Sequence, residues 1–461
     1  MASVFTAQQL QQADRNAAEK FGLPVSLLMQ RAARALLDAC LEHLPQPAPV
    51  VILCGKGNNG GDGICLEYLL KERQYPVTAL RLPEEADRAK AVLPPAALVV
   101  DCLFGTGFHG RLPEPLLPVL DLAREKPVLA CDLPSGVECD TGRTDPACLK
   151  AIQTVTFAGH KPCFFLYPAK EYCGRITVAD IGIPAKAFPE NGPQIETLTE
   201  EDVRTRLRPR PENGHKGTFG SLQAVCGSDA MTGAAILSAA AALRTGVGLL
   251  YLSLPESIRP ILQAVLPEPV YAPRRTETGA DALLIGCGMG RDRETLDFYR
   301  KQSKPKVLDA DALNLMAETG DWEHLDETCV LTPHPGEFAR MTQTTVTEIE
   351  ADRLSAVLRF TQKCPGVLVL KGHHTLVAQQ GRVRFNTTGN TALAKGGSGD
   401  VLAGFIAGFL AQGYSAWDSA LCGVFLHGKA AEIGAKQFSE SGLLPSQLPE
   451  LAARQLSCYH I

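Results

Sequence analysis

Two hydrophobic periodicities alternate along the first third of the chain. The segment "SLLMQRAARALLDACLEHL" (26–44) repeats apolar residues at three- and four-residue steps, which predicts a helix that the prolines from Pro45 onward terminate. Short apolar runs, which are typical of buried strands, then alternate with helical patterns such as 63–74. The predicted strands are 50–54, 76–82, 97–104, 127–134 and 152–158. This order indicates a parallel sheet with helices on both faces.

The periodicity stops over residues 185–216 and then resumes. "PAKAFPENGPQ" and "RPRPENGHKG" are rich in proline, glycine and charge and have no apolar period, so we predict an interdomain linker at 188–216. A second α/β pattern follows, with an alanine-rich helix at 233–246. Its predicted strands are 221–227, 249–254, 282–286, 306–311, 329–337 and 367–372. The sequence therefore predicts two unlike α/β domains, 1–187 and 217–461.

Composition narrows the class of protein. A chain of 461 residues is too long to form one ordinary hydrophobic core, which indicates more than one domain. Its net charge of −5 provides no positive electrostatic potential to attract nucleic acid. No run approaches the roughly 20 apolar residues of a membrane span, and the N-terminus lacks a signal-peptide pattern. The fifteen cysteines are scattered singly, as expected of reduced, buried side chains. We expect a cytoplasmic protein without nucleic-acid or membrane partners.

Glycine-rich loops follow two of the predicted strands. "GKGNNGGDG" (55–63) satisfies G-x-G-x-x-G between a strand and a helix, the context in which that pattern binds dinucleotide phosphates. The acidic residue expected about 20 positions later has only Glu84 and Glu85 as candidates. "GTGFHG" (105–110) is a second match, but either match alone is weak because most such loops are tight turns.

Polar residues accumulate where these strands end, which is where open α/β sheets bind ligands. One carboxylate or hydroxyl group there could simply cap the following helix, but four such loops together favour a binding site. The residues concerned are Asn58, Asn59, Asp62, Asp101, Asp132 and Ser135.

The segments "GLPVSLLMQRAA", "CGKGNNGGDG", "VDCLFGTGFHG", "ACDLPSG" and "FAGHKPC" resemble the NAD(P)H-hydrate epimerase family over residues 5–185. The resemblance implies a Rossmann-like three-layer domain and proton transfer by Asp132 with help from Lys161. It implies a potassium ion bound by Asn59, Asp101 and Ser135. The residues that it places against the hydrated nucleotide are Asn58, Asn59, Gly60, Gly61, Asp62, Gly105, Thr106, Gly107, Phe108, His109, Gly110, Arg111 and Asp132.

The implied chemistry suits these residue types. Epimerising the hydrate at C6 passes through a ring-opened or dehydrated species and needs a positioned acid–base group. A hard monovalent cation, held by amide and carboxylate oxygens, orders the loops without redox chemistry. One departure from the family pattern is Cys163, which replaces a glycine after Lys-Pro.

A second loop, "AKGGSGD" (394–400), precedes the apolar run "VLAGFIAGFLAQG" and predicts a glycine loop at a helix N-terminus. Phosphoryl transfer needs donors around the phosphate and a carboxylate that deprotonates the attacking hydroxyl group. The N–H groups of 396–399 supply the donors, and Asp400 supplies the carboxylate. Alternatively, Asp400 is a first-turn carboxylate that stabilises the helix by about 0.3–1 kcal/mol, which leaves the three glycines unexplained.

The segment "NTTGNTALAKGGSGDVLAGFIAGFLAQG" resembles the ribokinase-like fold, whose signature is G-[SA]-G-D opening a helix. "CGSDAMTGAAILSAAAALRTGVGLL", "IGCGMG", "LTPHPGEFARM" and "VLVLKGHHTLV" resemble the ADP- or ATP-dependent NAD(P)H-hydrate dehydratases over 200–455. The resemblance implies a ribokinase-like three-layer domain that uses Mg²⁺ with ADP or ATP. The implied hydrate-facing residues are Ala234, Gly288, Gly290, His334 and Asp400. The implied nucleotide-facing residues are Lys371, Gly372, His373, His374, Thr375, Gly396, Gly397, Ser398 and Gly399.

Some of these residues have simpler interpretations. His334 between two prolines is also typical of a rigid turn, and Lys371 of a solvated strand end. His373 and His374 should not chelate a metal together, because adjacent residues on a strand point to opposite faces. Cys287 and Met289 replace the proline and leucine of the family.

Together, the two resemblances indicate a bifunctional enzyme that epimerises the R and S hydrates of NADH and NADPH and dehydrates the S hydrate. The alternatives are a hydroxymethylpyrimidine- or sugar-type kinase with an accessory nucleotide-binding domain, an NAD-dependent dehydrogenase, and a binding protein with a degenerate epimerase fold. The partners expected are the hydrated dinucleotide, an adenine nucleotide and further copies of the chain in a homo-oligomer. The choice between ADP and ATP stays open, although the fused arrangement resembles bacterial proteins that use ADP.

Overall fold

The computed structural model describes residues 2–322 and 324–459 and forms two compact units. One unit comprises Ala2–Gly192, and the other begins at Pro193. The outer ends of the two predicted domains, residues 1 and 461, lie outside the described residues.

The first unit is built on one parallel sheet with the strand order β3-β2-β4-β5-β6-β7. The six strands of this sheet are β2 (Val50–Cys54), β3 (Val77–Arg81), β4 (Leu98–Cys102), β5 (Val128–Cys131), β6 (Gln153–Phe157) and β7 (Arg175–Ala179). A short strand, β1 (Ser3–Val4), precedes them in the chain and is not part of this sheet. Its helices are α1 (Ala7–Phe21), α2 (Val25–His43), α3 (Asn58–Glu72), α4 (Ala89–Val92) and α5 (Leu117–Ala123). All five predicted strands are present, with ends within one to three residues of the prediction.

Alternation along β2 explains the layers of this unit. Val50 and Ile52 pack in one apolar cluster with residues of α2 and α3. Val51 and Leu53 pack in a different cluster with residues of α4 and α5. Because successive side chains of a strand point to opposite faces, the helices cover both faces of the sheet. The predicted three-layer architecture is confirmed.

The second unit contains a larger mixed sheet with the strand order β8-β17-β16-β15-β14-β13-β12-β9-β10-β11. Its strands are β8 (Gln194–Leu198), β9 (Ser221–Val225), β10 (Leu249–Leu254), β11 (Val270–Pro273), β12 (Ala282–Ile285), β13 (Lys306–Leu308), β14 (Cys329–Leu331), β15 (Val367–Leu370), β16 (Leu376–Gln379) and β17 (Arg382–Asn386). Only β16 runs antiparallel to its neighbours; the other pairings are parallel.

Helices cover both faces of this sheet as well. They are α6 (Glu200–Arg204), α7 (Thr232–Arg244), α8 (Arg259–Val265), α9 (Arg293–Arg300), α10 (Asp311–Thr319), α11 (Pro335–Thr342), α12 (Val346–Ala351), α13 (Arg353–Thr361), α14 (Ser398–Ala411), α15 (Ala416–Phe438) and α16 (Leu448–Ser457). Leu222 and Ala224 of β9 pack in one cluster with residues of α7 and α14. Gln223 points the other way and donates a hydrogen bond to Tyr299 of α9 at 3.1 Å. The unit therefore also has three layers.

Small residues let α7 and α14 approach closely. A Cβ at Gly404 would lie 2.2 Å from the carbonyl oxygen of Ser238, and one at Gly408 would lie 2.2 Å from Oγ1 of Thr245. Gly404 and Gly408 thus allow α14 to pack closely against α7, and this packing fixes the position of the N-terminal end of α14.

The structure differs from the sequence-based expectation at the linker. Within the predicted linker at 188–216, Gln194–Leu198 forms β8, which pairs in parallel with β17, and a short helix, α6, follows. The division between units falls at Gly192 and Pro193. The sequence analysis did not predict this strand, because it has only five residues and because the segments around it are rich in proline and charged residues.

Three predicted strands are shorter than expected. The prediction over 329–337 ends at Leu331, because Pro335 begins a helix that His334 caps. Likewise β13 ends at Leu308 and β15 at Leu370. In each case the residues past the strand end form a loop or a helix start, which is where side chains reach a ligand.

All fifteen cysteines are free thiols, and all are buried except half-buried Cys65 and exposed Cys458. This confirms their interpretation as small apolar side chains. Within the described ranges no helix has the length and apolar character that a membrane span requires.

Candidate functional sites

Two adjoining cavities lie at the carboxyl ends of the strands in the first unit. The smaller has a volume of about 150 Å³, and its walls include Asp62, Asp132 and Lys161. The larger, of about 650 Å³, is lined by the glycine loops 55–59 and 103–108. Four residues line both cavities, namely Asp14, Asn58, Asn59 and Thr106. The two cavities therefore meet at a shared wall, as expected for one elongated ligand.

A buried ion pair forms the floor of the smaller cavity. The ammonium group of Lys161, whose side chain is 1% exposed, donates to Oδ1 of Asp132 at 2.7 Å. It also donates to the hydroxyl group of Thr156 and to the carbonyl oxygen of Phe157. These three acceptors use all three ammonium protons. Lys161 therefore orients Asp132 and has no further proton to offer a ligand.

Asp132 itself is held in an unusual backbone conformation. Its φ is +66°, in the left-handed region that costs a residue other than glycine free energy. The hydrogen bonds from Thr156, Phe157 and Lys161 all reach Oδ1, and Oδ2 accepts none from the described residues. The second oxygen is thus left for the cavity.

Two further carboxyl groups share this site. Burial raises the pKa of Asp62 to about 8, and the charge of Asp132 adds to the rise. Asp14 is exposed at the cavity, but the surrounding walls partly desolvate its carboxyl group. This desolvation raises the pKa of Asp14 to about 6, and the charge of Asp132 adds to the rise. At neutral pH the site therefore holds a mainly neutral Asp62 and an Asp14 close to its titration point.

The glycines of the first loop permit close backbone approach. A Cβ at Gly60 would lie 1.8 Å from the carbonyl oxygen of Gly55, and one at Gly105 would lie 2.7 Å from Oδ1 of Asn59. Gly57, by contrast, faces open space. The G-x-G-x-x-G pattern is thus partly a packing requirement. Its expected acidic partner is absent from the site, because Glu84 pairs with Lys56 on the surface and Glu85 with Arg88.

A separate polar cluster lies behind the loops. Asp101 is completely buried and accepts hydrogen bonds from the backbone N–H of Ser135 at 2.7 Å and from its hydroxyl group at 2.6 Å. Burial raises the pKa of Asp101. No cationic side chain of the described chain lies within ion-pair distance of it. Asn59 is tied to the same strand ends by donating to the carbonyl oxygen of Cys131 at 2.9 Å.

The predicted residues of the first unit fall into two groups. Asn58, Asn59, Asp62, Asp132, Lys161 and the range 105–108 line the cavities. Gly60 and Gly61 lie inside the first turn of α3, and the remaining predicted residues lie outside the cavity walls, namely His109, Gly110 and Arg111. The N–H of Gly110 binds Glu138, and Arg111 lies 3.7 Å from Asp145.

The second unit has a cavity of about 580 Å³ around the N-terminal end of α14. Every predicted nucleotide-facing residue lines it, as do His334 and Asp400. The remaining hydrate-facing predictions, Ala234, Gly288 and Gly290, lie outside its walls. Ala234 packs against Gly288, where a Cβ would lie 2.7 Å from that of Ala234, and the N–H of Gly290 donates to Asp311 at 2.8 Å.

The glycine loop leaves backbone donors available. Gly397 precedes α14 with a φ of +96°, and the N–H groups of Gly396, Gly397 and Gly399 have no acceptor among the described residues. The N–H of Ser398 is different, since it donates to the carbonyl oxygen of Lys395 at 3.2 Å. Its hydroxyl group lies 3.2 Å from Nε2 of buried His427. Three of the four predicted N–H donors are therefore free for an anion.

Asp400 stands in the first turn of α14 near a second carboxylate. Burial raises its pKa to about 6, the charge of Asp309 adds to the rise, and Lys371 opposes it. The ammonium group of Lys371 is bound to Oδ1 of Asp309 at 2.9 Å and lies 3.7 Å from Glu337. Lys371 is thus held by carboxylates rather than solvated, whereas no lysine among the described residues lies within ion-pair distance of Asp400, which interacts with the Cys287 thiol.

His334 and the histidine pair also find definite positions. Nδ1 of His334 caps α11 by accepting from the N–H of Gly336 at 3.0 Å, while the ring lines the cavity. His373 and His374 lie in the loop between β15 and β16, and their ring centroids are 4.1 Å apart. The assumption that they point to opposite faces of a strand is therefore wrong, because the strand ends at Leu370.

One group of side chains in the described ranges has the proximity of a metal site. Ligand atoms of Cys287, Asp309 and Asp400 all lie within 4.8 Å of one another. The two carboxylates suit a hard divalent cation, whereas a thiol does not. Oδ1 of Asp309 is already occupied by Lys371 and Thr332.

Sequence reasoning did not assign three residues that the structure brings to these sites. Asp14 lies on α1, far from any glycine loop, and only its spacing on the inner face of a helix could have suggested it. Asp309 lies inside the predicted strand 306–311 and follows the observed β13, which ends at Leu308, so the strand-end rule would have found it only with the correct strand end. Buried His427 lies on α15 in a long apolar pattern.

Family models match both units. The model described as NAD(P)H-hydrate dehydratase matches residues 222–454, and that described as YjeF-related protein N-terminus matches 25–93 and 81–163. A bifunctional NAD(P)H-hydrate repair enzyme of Moorella thermoacetica is 36% identical over 96% of this chain and 94% of its own length. One of Escherichia coli is 35% identical over 97% of this chain and 92% of its own length.

Solved structures resemble the second unit. The ADP/ATP-dependent NAD(P)H-hydrate dehydratase of Bacillus subtilis, co-crystallised with ATP and Mg²⁺, has a TM-score of 0.53 and 33% identity. The similarity extends over 59% of this chain and 100% of the Bacillus subtilis chain. A ribokinase-like superfamily protein of Enterococcus faecalis has a TM-score of 0.51 and 27% identity, and covers 57% of this chain and 96% of its own.

Proposed function

The chain belongs to the family of bifunctional NAD(P)H-hydrate repair enzymes, and on that premise we propose how its residues divide the two reactions. The enzyme interconverts the R and S hydrates of NADH and NADPH in its first unit. Its second unit dehydrates the S hydrate at the expense of ADP or ATP, which yields reduced cofactor, phosphate and AMP or ADP. The observation that carries this assignment is the presence of both sites, each with an available carboxylate, in a chain similar to bifunctional relatives over nearly its whole length.

In the first unit, the hydrated nicotinamide occupies the smaller cavity and the remainder of the dinucleotide the larger one. Oδ2 of Asp132 exchanges a proton with the oxygen bound at C6, and Lys161 fixes the orientation of the Asp132 carboxylate. Asn58, Asn59, Asp62 and the 105–108 loop bind the ligand along the shared wall. The packed glycines preorganise this wall before the ligand arrives.

A potassium ion in the first unit is supported by the donor set. Asn59, Asp101 and Ser135 offer only oxygen ligands, and buried Asp101 has no cationic partner among the described residues. The ion would compensate that charge and hold the two loops together. We expect the unfolding temperature to rise in potassium chloride relative to choline chloride at equal ionic strength, and to lose this dependence in Asp101→Asn. Equal temperatures in the two salts would contradict the site.

In the second unit, the free N–H groups of the loop bind the terminal phosphate of the nucleotide. Asp400 accepts the proton of the substrate hydroxyl group as its oxygen attacks phosphorus, and the nucleotide leaves. Elimination then breaks the C6–O and C5–H bonds: phosphate leaves with the C6–O electron pair, the C5 proton passes to solvent, and the C5=C6 double bond of the reduced nicotinamide forms. His334 lies at the cavity wall where it contacts the hydrate, and Lys371 to Thr375 contact the nucleotide.

Magnesium accompanies the nucleotide in this proposal. Carboxylates of Asp400 and Asp309 fit a hard cation near the phosphates, and the ion supplies neutralisation of phosphate charge. The Bacillus subtilis relative that was co-crystallised with ATP and Mg²⁺ supports this cofactor. Cys287 is not a ligand in this assignment, because burial and its neighbour Cys226 raise the pKa of its thiol well above the ordinary value.

One assay tests the assignment as a whole. The protein is incubated with a mixture of R- and S-hydrated NADH, Mg²⁺ and ADP or ATP, and the absorbance of regenerated NADH is followed. Complete recovery is expected, faster than spontaneous epimerisation allows. Recovery of the S fraction alone would contradict the epimerase, and phosphate transfer to a pyrimidine or sugar without recovery would establish the kinase alternative. Comparing ADP with ATP in the same assay identifies the preferred nucleotide.

Location and assembly are further parts of this proposal. We place the enzyme in the cytoplasm, because fifteen unpaired cysteines suit a reducing compartment. We also propose a homo-oligomer, which light scattering after gel filtration tests directly. A monomeric mass at micromolar concentration would contradict it, and activity in a membrane or secreted fraction would contradict the location.

A further inference from the structure

Epimerisation through the dehydrated species requires two proton transfers to and from the oxygens bound at C6, and the assigned base accounts for one of them. The departing hydroxyl group must gain a proton, and the water that adds to the other face must lose one. Lys161 has no proton left to give, because Asp132, Thr156 and Phe157 accept all three. A second proton-transfer group must therefore lie elsewhere on the cavity wall.

Two carboxyl groups are available there, and their surroundings differ. Asp62 is 6% exposed, and its Oδ2 accepts a hydrogen bond from the thiol of Cys131 at 3.7 Å. Its pKa of about 8 keeps it protonated at neutral pH, which suits a constant hydrogen-bond donor. Asp14 is exposed and lines both cavities, and its carboxyl group makes no hydrogen bond with the described residues. It is therefore free to exchange a proton with a ligand.

The position of Asp14 also separates it from the assigned base. It lies on α1, while Asp132 follows β5, and it lines both cavities where they join. The charged residues that share these cavity walls with Asp14 are Lys56, Asp62, Asp132 and Lys161. Asp14 and Asp132 both line the smaller cavity, but only Asp14 also lines the larger one.

We propose that Asp14 is the second catalytic residue of epimerisation and protonates the hydroxyl group that leaves C6. The O–H of Asp14 gives its proton to the C6 oxygen, the C6–O bond breaks, and the nitrogen lone pair forms a C6=N1 bond. Water then adds to the opposite face of C6 and loses a proton to Oδ2 of Asp132. The proton passes from Asp132 through water to Asp14, so the cycle is balanced. In the reverse direction the two carboxyl groups exchange roles.

This inference rests on the epimerase activity assigned to the first unit, and it predicts a distinct pH profile. A group that must be protonated loses activity as the pH rises through its pKa, which for Asp14 is about 6. Conversion of the R hydrate to the S hydrate should therefore show a limb that falls above pH 6 and that disappears in Asp14→Asn.

The experiment compares Asp14→Asn with Glu19→Gln, a matched exposed carboxylate on the same helix. Each protein is assayed with purified R hydrate in ¹⁸O-labelled water, with spontaneous conversion subtracted. We expect kcat to fall at least about 100-fold in Asp14→Asn while KM changes less than about threefold, with no change in Glu19→Gln. Each enzymatically formed S hydrate should carry one solvent oxygen.

Several outcomes would overturn the role of Asp14. They are a kcat within about threefold of wild type in Asp14→Asn, persistence of the falling pH limb in that variant, or retention of the original oxygen. Dehydration of purified S hydrate must remain normal in both variants, which shows that the chain is folded. An inactive wild type would instead contradict the proposed epimerase, so the two failures are distinguishable.

Discussion

The two sites place a lysine and several carboxylates at the carboxyl edge of a parallel sheet, but they pair these groups differently. In the first unit Lys161 binds the reacting carboxylate of Asp132 directly. In the second unit Lys371 binds Asp309, and the reacting carboxylate of Asp400 has no lysine partner. A proton exchanger that works in both directions benefits from a fixed orientation. In the second site, the base Asp400 acts beside a polyanionic nucleotide. The neighbouring cation, Lys371, is then not paired with the base and can interact with the phosphates.

The glycine loops of the two sites also differ, in whether their backbone is packed or free. In the first unit, side chains line the cavity over glycines that pack against other backbone, as Gly60 does against Gly55. The second unit presents free N–H groups from glycines in open space, such as Gly396. Glycine serves close packing in one loop and anion binding in the other.

The largest effect should come from removing the unpaired base. Asp400→Asn should lower the rate of dehydration of the S hydrate by about 1000-fold or more, because Asp309, the other carboxylate that lines the cavity, is bound to Lys371 and Thr332. Epimerisation of the R hydrate should be unchanged. The matched control is Asp418→Asn, which alters a first-turn aspartate of α15 away from the cavity. If dehydration persisted in Asp400→Asn, the carboxylate would not be the base, and its role would be only to stabilise α14 through the helix dipole.

The next largest effect should come from breaking the lysine pair of the first unit. Lys161→Met leaves Asp132 uncompensated in a buried position, which should lower the unfolding free energy of that unit by about 3–5 kcal/mol. The double variant Lys161→Met with Asp132→Asn should recover part of this stability without recovering epimerisation. Denaturant unfolding and the epimerase assay measure the two quantities. Equal stability of the single variant and wild type would contradict the pairing.

A smaller effect separates the packing role of glycine from its binding role. Gly60→Ala should lower the unfolding free energy by about 1–3 kcal/mol, because the added Cβ meets a backbone oxygen that cannot move away. Gly57→Ala is the matched control, since its Cβ meets nothing within 4 Å. Because Gly57 is the N-cap of α3, where alanine is less favourable than glycine, we expect a loss below about 1 kcal/mol, smaller than that of Gly60→Ala. Similar losses in both variants would show that the loop is not packed as described.

The smallest effect concerns the titration of Asp400. A base must be ionised, and burial raises the pKa of Asp400 to about 6. Dehydration of the S hydrate should therefore be constant above pH 7 and fall about tenfold per pH unit below 6. Rates measured with purified S hydrate and saturating nucleotide test this. A rate independent of pH between 5 and 7 would assign the base to another group.

Local patterns predicted much of the fold and most of the residues around the ligands. The apolar runs located the central strands of both sheets, since buried strands need continuous apolar sequence, and the strand-end rule located Asp101, Asp132 and Ser135. The pattern failed at β8, whose residues are stabilised by pairing with β17 rather than by their own composition. It also placed His373 and His374 on a strand that ends at Leu370.

The sequence by itself determined the two α/β units and the glycine loops, and it supplied the two aspartates that we propose as reacting groups. These follow from local periodicity and from residue types at strand ends, which act over a few residues. Only the tertiary structure decided which lysine binds which carboxylate, that Asp14 joins the epimerase site from α1, and that the N–H of Ser398 is already occupied. Those facts depend on distances between residues far apart in the chain, which the packing of helices on the sheets sets.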